Sequence, residues 1–283
     1  MSSIRSHSQA TSLAAPHFEP VPASSSRPRR GAVACDVALE HAALSEVGLV
    51  RGHNEDRWQV VAEAGLFVVA DGMGGYNAGE IAAELAVQTA CRLIPGFVAG
   101  DGDVPAAMHR AIGACNERIR ERAAGDPDCL GMGTTLIACL IEGNRLHVAH
   151  IGDSRAYLLR DGLLRRMTRD HSIGQQIADS GALSEAQVRH LPGRGILTRA
   201  LGVEDRVASD CCTFDWQPSD TLLLCSDGLT DLVADTTIAQ ALVAFAPAGP
   251  AEQAGALVAA ALQAGGSDNV TALVVRNAQE PMH

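Results

Sequence analysis

Five times along the chain a β-like segment abuts an aspartate, or a Glu-Asp pair, set beside glycine, serine or asparagine. The pieces are RGHNEDRW (Arg51 to Trp58), VVADGMGG, HIGDSRA, LLLCSDGLTD and GGSDNVT. The carboxylates they carry are Glu55, Asp56, Asp71, Asp153, Asp227, Asp231 and Asp268. Taken singly, an Asp-Gly at a strand end reads as a turn or a cap. Taken together, the five point to chemistry. Runs such as LFVVA and TLLLC are apolar enough to be buried strands, and such strands would deliver their terminal carboxylates to one rim of a sheet core. Carboxylates held close together repel and resist ionisation until a cation neutralises them. Oxygen ligands of this hardness, completed by water, suit Mg²⁺ or Mn²⁺. The sequence has no HExxH and no Cys/His group at ligand spacing, which argues against zinc.

Other chemistries are excluded by what the chain lacks. All 22 basic residues are arginine, so neither the P-loop lysine nor the strand lysine of a protein kinase can exist. There is no GxSxG nucleophile elbow. The net charge is −11; residues 1–34 hold four Arg and one Glu, so the remainder carries −14. A domain that acidic is a poor partner for a nucleic-acid backbone. No apolar run reads as a membrane span and the N-terminus does not read as a signal peptide, so a cytoplasmic protein is expected. Eight cysteines without a CxxC pair read as free thiols of a reducing compartment.

The carboxylates need elements to position them. Residues 1–34, rich in Ser, Pro, Ala and Arg, read as a flexible tail, and the folded domain is expected over 35–279. Strands are expected over Ala42–Leu49, Arg57–Val61 and Leu66–Ala70. A helix follows, capped by Asn77 with Glu80 three residues on, and a second one follows Asp103 with Pro105 in its first turn. TTLIACLIE, RLHVAHIG and RAYLLRDG are closely spaced strands, with two-residue turns at Gly143-Asn144 and Asp161-Gly162 that imply hairpins. Residues 172–191 read as a short polar helical insertion. A buried strand, two Ala-rich helices (about 236–245 and 250–264) and the strand DNVTALVVR complete the order. Hairpins with helices gathered in pairs indicate a layered α+β architecture.

RGHNED, DGMGG, GTT (Gly133 to Thr135), GDSRAYL, LTRALG, SDGLTD and SDNVT occur in this order over about residues 40–276. This ordered set resembles the metal-dependent, type 2C serine/threonine protein phosphatase family in its bacterial form. The resemblance implies an α-β-β-α sandwich, two antiparallel sheets flanked by helix pairs. It implies two or three Mn²⁺ or Mg²⁺ ions and hydrolysis of phosphoserine or phosphothreonine in proteins by a metal-bridging hydroxide. By the same resemblance Asp71 bridges two ions and the Gly72 carbonyl binds one of them. Asp227 and Asp268 hold the other, and Glu55 and Asp56 contact the metals largely through water. A third ion would rest on Asp153, Asp231 and Asp227, and Arg51 would grip the phosphate.

The segment 172–202, with Ser172 and Arg199, is similar to the family's flap beside the active site, with substrate choice as its role. Animal members carry a histidine in the DGxGG loop as proposed general acid; here Met73 stands there and cannot donate a proton. His53, His150 and His171 lie near motifs but each reads as a surface or internally satisfied residue. Arg155 is expected to pair with a carboxylate. The implied partners are phosphoproteins, with a cognate serine/threonine kinase as antagonist, and the chain is expected to be a monomer. The rival reading is a catalytically silent binding module; intact Asp71, Asp227 and Asp268 argue against it. A further alternative is a phosphatase for a small regulatory antagonist protein.

Overall fold

The computed structural model describes residue 35 and residues 37–75 and 78–278. The expected tail over 1–34 and the expected cap Asn77 lie outside them. Among the described residues eleven strands build two antiparallel sheets. One has the order β1 (Leu39–Glu46), β11 (Val270–Asn277), β10 (Thr221–Cys225), β7 (Arg155–Arg160), β8 (Leu163–Arg166). The other has the order β2 (Asp56–Val61), β3 (Leu66–Met73), β5 (Leu136–Glu142), β6 (Arg145–Ile151), β9 (Asp210–Asp215), with the short β4 (Gly133–Thr134) paired to the end of β3.

Strand apolarity explains the layering. β3 is buried over Leu66–Ala70 without a polar alternate, because both of its faces are covered. Leu66, Val68 and Ala70 join a core with α1 (Ala78–Asp101) and α2 (Val104–Gly125). Phe67 and Val69 face the other way, into a core shared with Leu222 and Leu224 of β10 and Leu273 and Val275 of β11. Leu223, Val274 and Ala272 point outward again, onto α6 (Asp235–Ala244) and α7 (Pro250–Gln263). Three cores between four layers are the expected sandwich.

Both expected hairpins are present. β5 turns into β6 through Gly143, and β7 into β8 through Asp161 and Gly162, whose φ values of 51° and 77° are those of a two-residue turn matching the strand twist. The first strand is displaced from the expected 42–49: it runs Leu39–Glu46 because its register against β11 ends at Glu46 opposite Val270. Beyond it the chain turns at Gly48, where φ is 79° and a side chain would collide with the Asp268 carbonyl. The expectation that no segment reaches membrane-spanning length is also corrected. Ala78–Gly100, 23 residues, is long and apolar enough to span by length and composition. Half of it is buried inside the protein, and its Ala82, Ala86, Ala90 and Ile94 pack in the core under β3, which accounts for its apolarity.

Candidate metal centre

The ends of β2, β3, β10 and β11 meet at one rim, and the acidic residues come with them. Asp56 opens β2 and pairs in register with Asp71 near the end of β3. Asp227 follows β10 at the start of the single turn α5 (Asp227–Thr230), and Asp268 precedes β11. Asp153 lies between β6 and β7. Asp71, Gly72, Asp153, Asp227 and Asp268 line one cleft of about 560 Å³, together with Arg51.

Their mutual influence is strong. Burial pushes Asp56 up to about 6, with Asp268 adding to it, while hydroxyl hydrogen bonds hold it down. Burial and the charges of Asp231, Asp268 and Asp56 push Asp227 up to about 7. Asp71 and Asp153 are held well above the usual carboxylate range, first by burial and then by the neighbouring aspartates. Asp71 and Asp227 keep part of their surface open to the cleft, the route by which a cation would reach them. Burial also raises Glu55.

Backbone and hydroxyl groups fix these carboxylates. Asp56 Oδ2 accepts from Ser226 Oγ and Thr271 Oγ1, both at 2.7 Å, while its buried Oδ1 has no protein partner. The Asp71 amide donates to Thr135 Oγ1 at 3.0 Å and its carbonyl accepts from Thr134 Oγ1 at 2.8 Å. Asn269 accepts from the Glu55 amide at 2.8 Å and donates to the carbonyls of Val47 and His53, so it ties the Arg51–Glu55 loop to β11. Gly72 and Gly228 serve close approach: a Cβ at Gly72 would collide with the Gly79 carbonyl, and one at Gly228 with the Asn269 carbonyl. Ser226, Asn269 and Thr271 stand inside motifs quoted for their aspartates and Thr135 inside GTT, yet none of the four is singled out by the sequence.

The donor set fits hard divalent cations. It is built of carboxylate oxygens, one of them orphaned in a buried position, and the repulsion that raises their proton affinity is what Mg²⁺ or Mn²⁺ would relieve. Arg51 lies at the mouth, its Nη2 donating to Asp268 Oδ2 at 2.6 Å, and that hydrogen bond raises its own basicity.

Other sequence candidates take different places. Ser172 caps α3 (Ile173–Asp179), accepting from the Gln175 amide at 3.2 Å, and it lines the neighbouring cavity under the flap rather than the cleft. Arg199 lines the cleft but is held by Asp210 at 2.8 Å and by the Ala208 carbonyl at 2.9 Å. Arg155 makes the expected pair, reaching both oxygens of Asp170. Arg194 of the flap, which sequence reasoning passed over, ion-pairs with Asp231 at 2.9 Å. His150 and His171, 21 residues apart and silent as a spacing pattern, stack at 4.7 Å beside Asp210, with donor atoms all within 4.8 Å of one another. His171 Nδ1 accepts from the Gly152 amide at 3.1 Å, which puts its proton on Nε2, facing Asp210 at 3.3 Å. Buried there, Nε2 makes no hydrogen bond, and the stacked pair sets the start of the flap against β6 and β9. All eight cysteines are free, as expected; five are buried and Cys212 is exposed.

The protein is thus a two-sheet α+β sandwich that carries a buried acidic cluster and an arginine at one rim. The chain belongs to the protein phosphatase 2C family, whose description matches residues 51–263. It is 42% identical over 241 residues to the serine/threonine protein phosphatase PstP of Mycobacterium tuberculosis, a match covering 84% of this chain and 45% of that protein. The chain thus spans about half the length of that relative. It is 37% identical to the serine/threonine phosphatase stp of Listeria monocytogenes, over 81% of this chain and 92% of that one. The crystal structure of the PstP catalytic domain with two manganese ions superposes with a TM-score of 0.74 at 40% identity, covering 84% of this chain and 97% of that one.

Proposed function

We propose that this protein removes phosphate from phosphoserine and phosphothreonine in other proteins, using two or three Mn²⁺ or Mg²⁺ ions, in a catalytic domain spanning 35–279. The observation that carries the reading is the cluster of Asp56, Asp71, Asp153 and Asp227, packed so closely that the aspartates raise one another's proton affinity. Bound cations supply Lewis acidity toward the phosphoryl oxygens and an activated water. The chain's part is placement. Asp71 would serve both ions and the Gly72 carbonyl one of them, Asp227 and Asp268 would hold the other, and Glu55 and Asp56 would act largely through water. Asp153 and Asp231, with Asp227, would hold a weaker third ion. Arg51 steadies the phosphate with the charge-assisted, two-pronged geometry that a guanidinium offers an oxyanion. Met73 carries no proton, so protonation of the leaving oxygen falls to another donor.

The flap that begins at Ser172 and includes Arg199 selects the substrate. The protein acts as a monomer in a bacterial cytoplasm and opposes a serine/threonine kinase. The test is hydrolysis of a phosphothreonine peptide and of p-nitrophenyl phosphate, with Mn²⁺ and with chelator. Activity is expected with Mn²⁺, none with chelator, and near-complete loss in Asp227→Ala. Wild-type protein that binds Mn²⁺ yet hydrolyses neither substrate sinks the reading.

A further inference from the structure

The cleft that holds the carboxylates extends beyond what a phosphate needs, and part of its lining is aliphatic. Val203 and Ile196 both face it, 60% and 62% exposed, although a valine or isoleucine left in water forgoes the gain of burial. Val203 is not loose. It lies in a loop clamped from below by Asn116 of α2, a residue only 1% exposed. The Asn116 amide oxygen accepts from the Gly202 amide at 2.7 Å, and its nitrogen donates to the Glu204 carbonyl at 2.9 Å. One residue further back, Leu201 pairs through its backbone with Thr134, whose hydroxyl holds the Asp71 carbonyl. Val203 is therefore set at a fixed offset from Asp71. Its Cγ2 and the Met73 Cε both converge on Gly133, where an added Cβ would lie 3.3 Å from the valine and 2.7 Å from the methionine. Ile196 reaches the same cleft from the stem of the flap, where the Ile173 amide donates to its carbonyl at 2.9 Å.

We infer that Met73, Val203 and Ile196 form an apolar shelf that receives an aliphatic or aromatic side chain next to the phosphorylated residue of a substrate protein. The occupant follows from continuity: the shelf lies in one cleft with Arg51 and the carboxylates, so a chain whose phosphate rests there passes over it. The inference rests on the phosphatase reading above and adds the substrate class. It also gives Met73 a use that proton donation cannot.

The test compares phosphothreonine peptides that differ only in carrying Leu or Ser at each position flanking the phosphothreonine, assayed with Mn²⁺. At one flanking position Leu is expected to raise kcat/KM about tenfold over Ser, in the range that a few methylenes command in an apolar site. In Val203→Ser and in Ile196→Ser that ratio should fall toward one, and Val203→Leu should retain it. Equal rates on the Leu and Ser peptides in the wild type overturn the shelf and leave the phosphatase reading standing. So does a Leu preference that survives both serine variants. Hydrolysis of no peptide and no p-nitrophenyl phosphate overturns the phosphatase reading and the shelf with it.

Discussion

Asp56 and Asp220 are equally buried, 2% and 0% exposed, and the fold treats them in opposite ways. Asp220 is closed on itself. Arg160 donates to its two oxygens at 2.7 and 2.6 Å, and the Gln217 amide adds a third bond at 2.8 Å. Asp56 receives two neutral hydroxyls, leaves one oxygen orphaned, and faces Asp71 across the sheet. A buried carboxylate given its own arginine serves the fold. A buried carboxylate given other carboxylates serves a cation that comes from outside, and the sandwich supplies the rigidity that holds the repulsion in place.

The sharpest way to break that contrast is to remove one charge from each region. Asp71→Asn is expected to reduce phosphopeptide hydrolysis by about 10³-fold or more, since it removes the shared ligand of a site whose metals stabilise the transition-state charge. The metal-free protein should nevertheless unfold at the same or a higher temperature, because a repulsive charge is gone. Asp220→Ala should do the reverse. It removes the carboxylate that faces the buried Arg160 guanidinium, breaking a buried ion pair, which costs about 3–5 kcal/mol of stability. Mn²⁺ titration by calorimetry should be unchanged in Asp220→Ala and weakened in Asp71→Asn. If Asp71→Asn destabilises the metal-free protein as much as Asp220→Ala does, the acidic centre is structural and the contrast fails.

A smaller effect concerns pH. Asp56 and Asp227 have folded-state values pushed up to about 6 and about 7, above the 3.8 of a free aspartate. The folded protein therefore binds those protons more tightly than the unfolded chain. Their contribution to stability is complete below the unfolded value and is lost as pH rises through 6 and 7. His147 and His171, lowered to about 4 by burial, act oppositely: their contribution is present above the usual histidine value and lost as pH falls toward 4. Between the usual histidine range and the onset of thiol ionisation, these carboxylates set the sign. Thermal unfolding in chelator should therefore show Tm falling from pH 7 to pH 8, and saturating Mn²⁺ should remove the fall. A flat profile in chelator would mean that the carboxylates are not held together as the fold indicates.

The sequence made the aspartates legible because each is an outlier of type, a charge at the end of an apolar strand. Layering was legible too, since β3 and β10 lack a polar alternate and so declare two covered faces. What escaped is what only the third dimension decides. Ser226 and Thr271 lie 45 residues apart and meet on one oxygen of Asp56. Arg194 and Asp231, far apart in the chain, meet only in the folded molecule, at 2.9 Å. Ser172 stands beside a functional segment but is used locally as a helix cap, a role its residue type serves as readily as a substrate contact. The apolarity of α1 reads alike for a core helix and for a spanning one until its packing under β3 is seen.

The finest test of the contrast lies in the two hydroxyls on Asp56. Ser226 Oγ donates to Asp56 Oδ2 and accepts from the Thr271 amide at 3.0 Å, so Ser226→Ala removes one donor from the carboxylate and one acceptor from β11. The structural cost should be about 1–2 kcal/mol, the price of one lost bond and one unsatisfied amide. If Asp56 served only the fold, that loss would be the whole effect. If it orients water toward cations, a freer carboxylate should also weaken Mn²⁺ binding, by about tenfold, the usual consequence of loosening a group that orients a metal's ligands. Calorimetric Mn²⁺ titration of folded Ser226→Ala, well below its Tm, separates the two. Unchanged affinity alongside lowered stability would move Asp56 from the side of the centre to the side of Asp220.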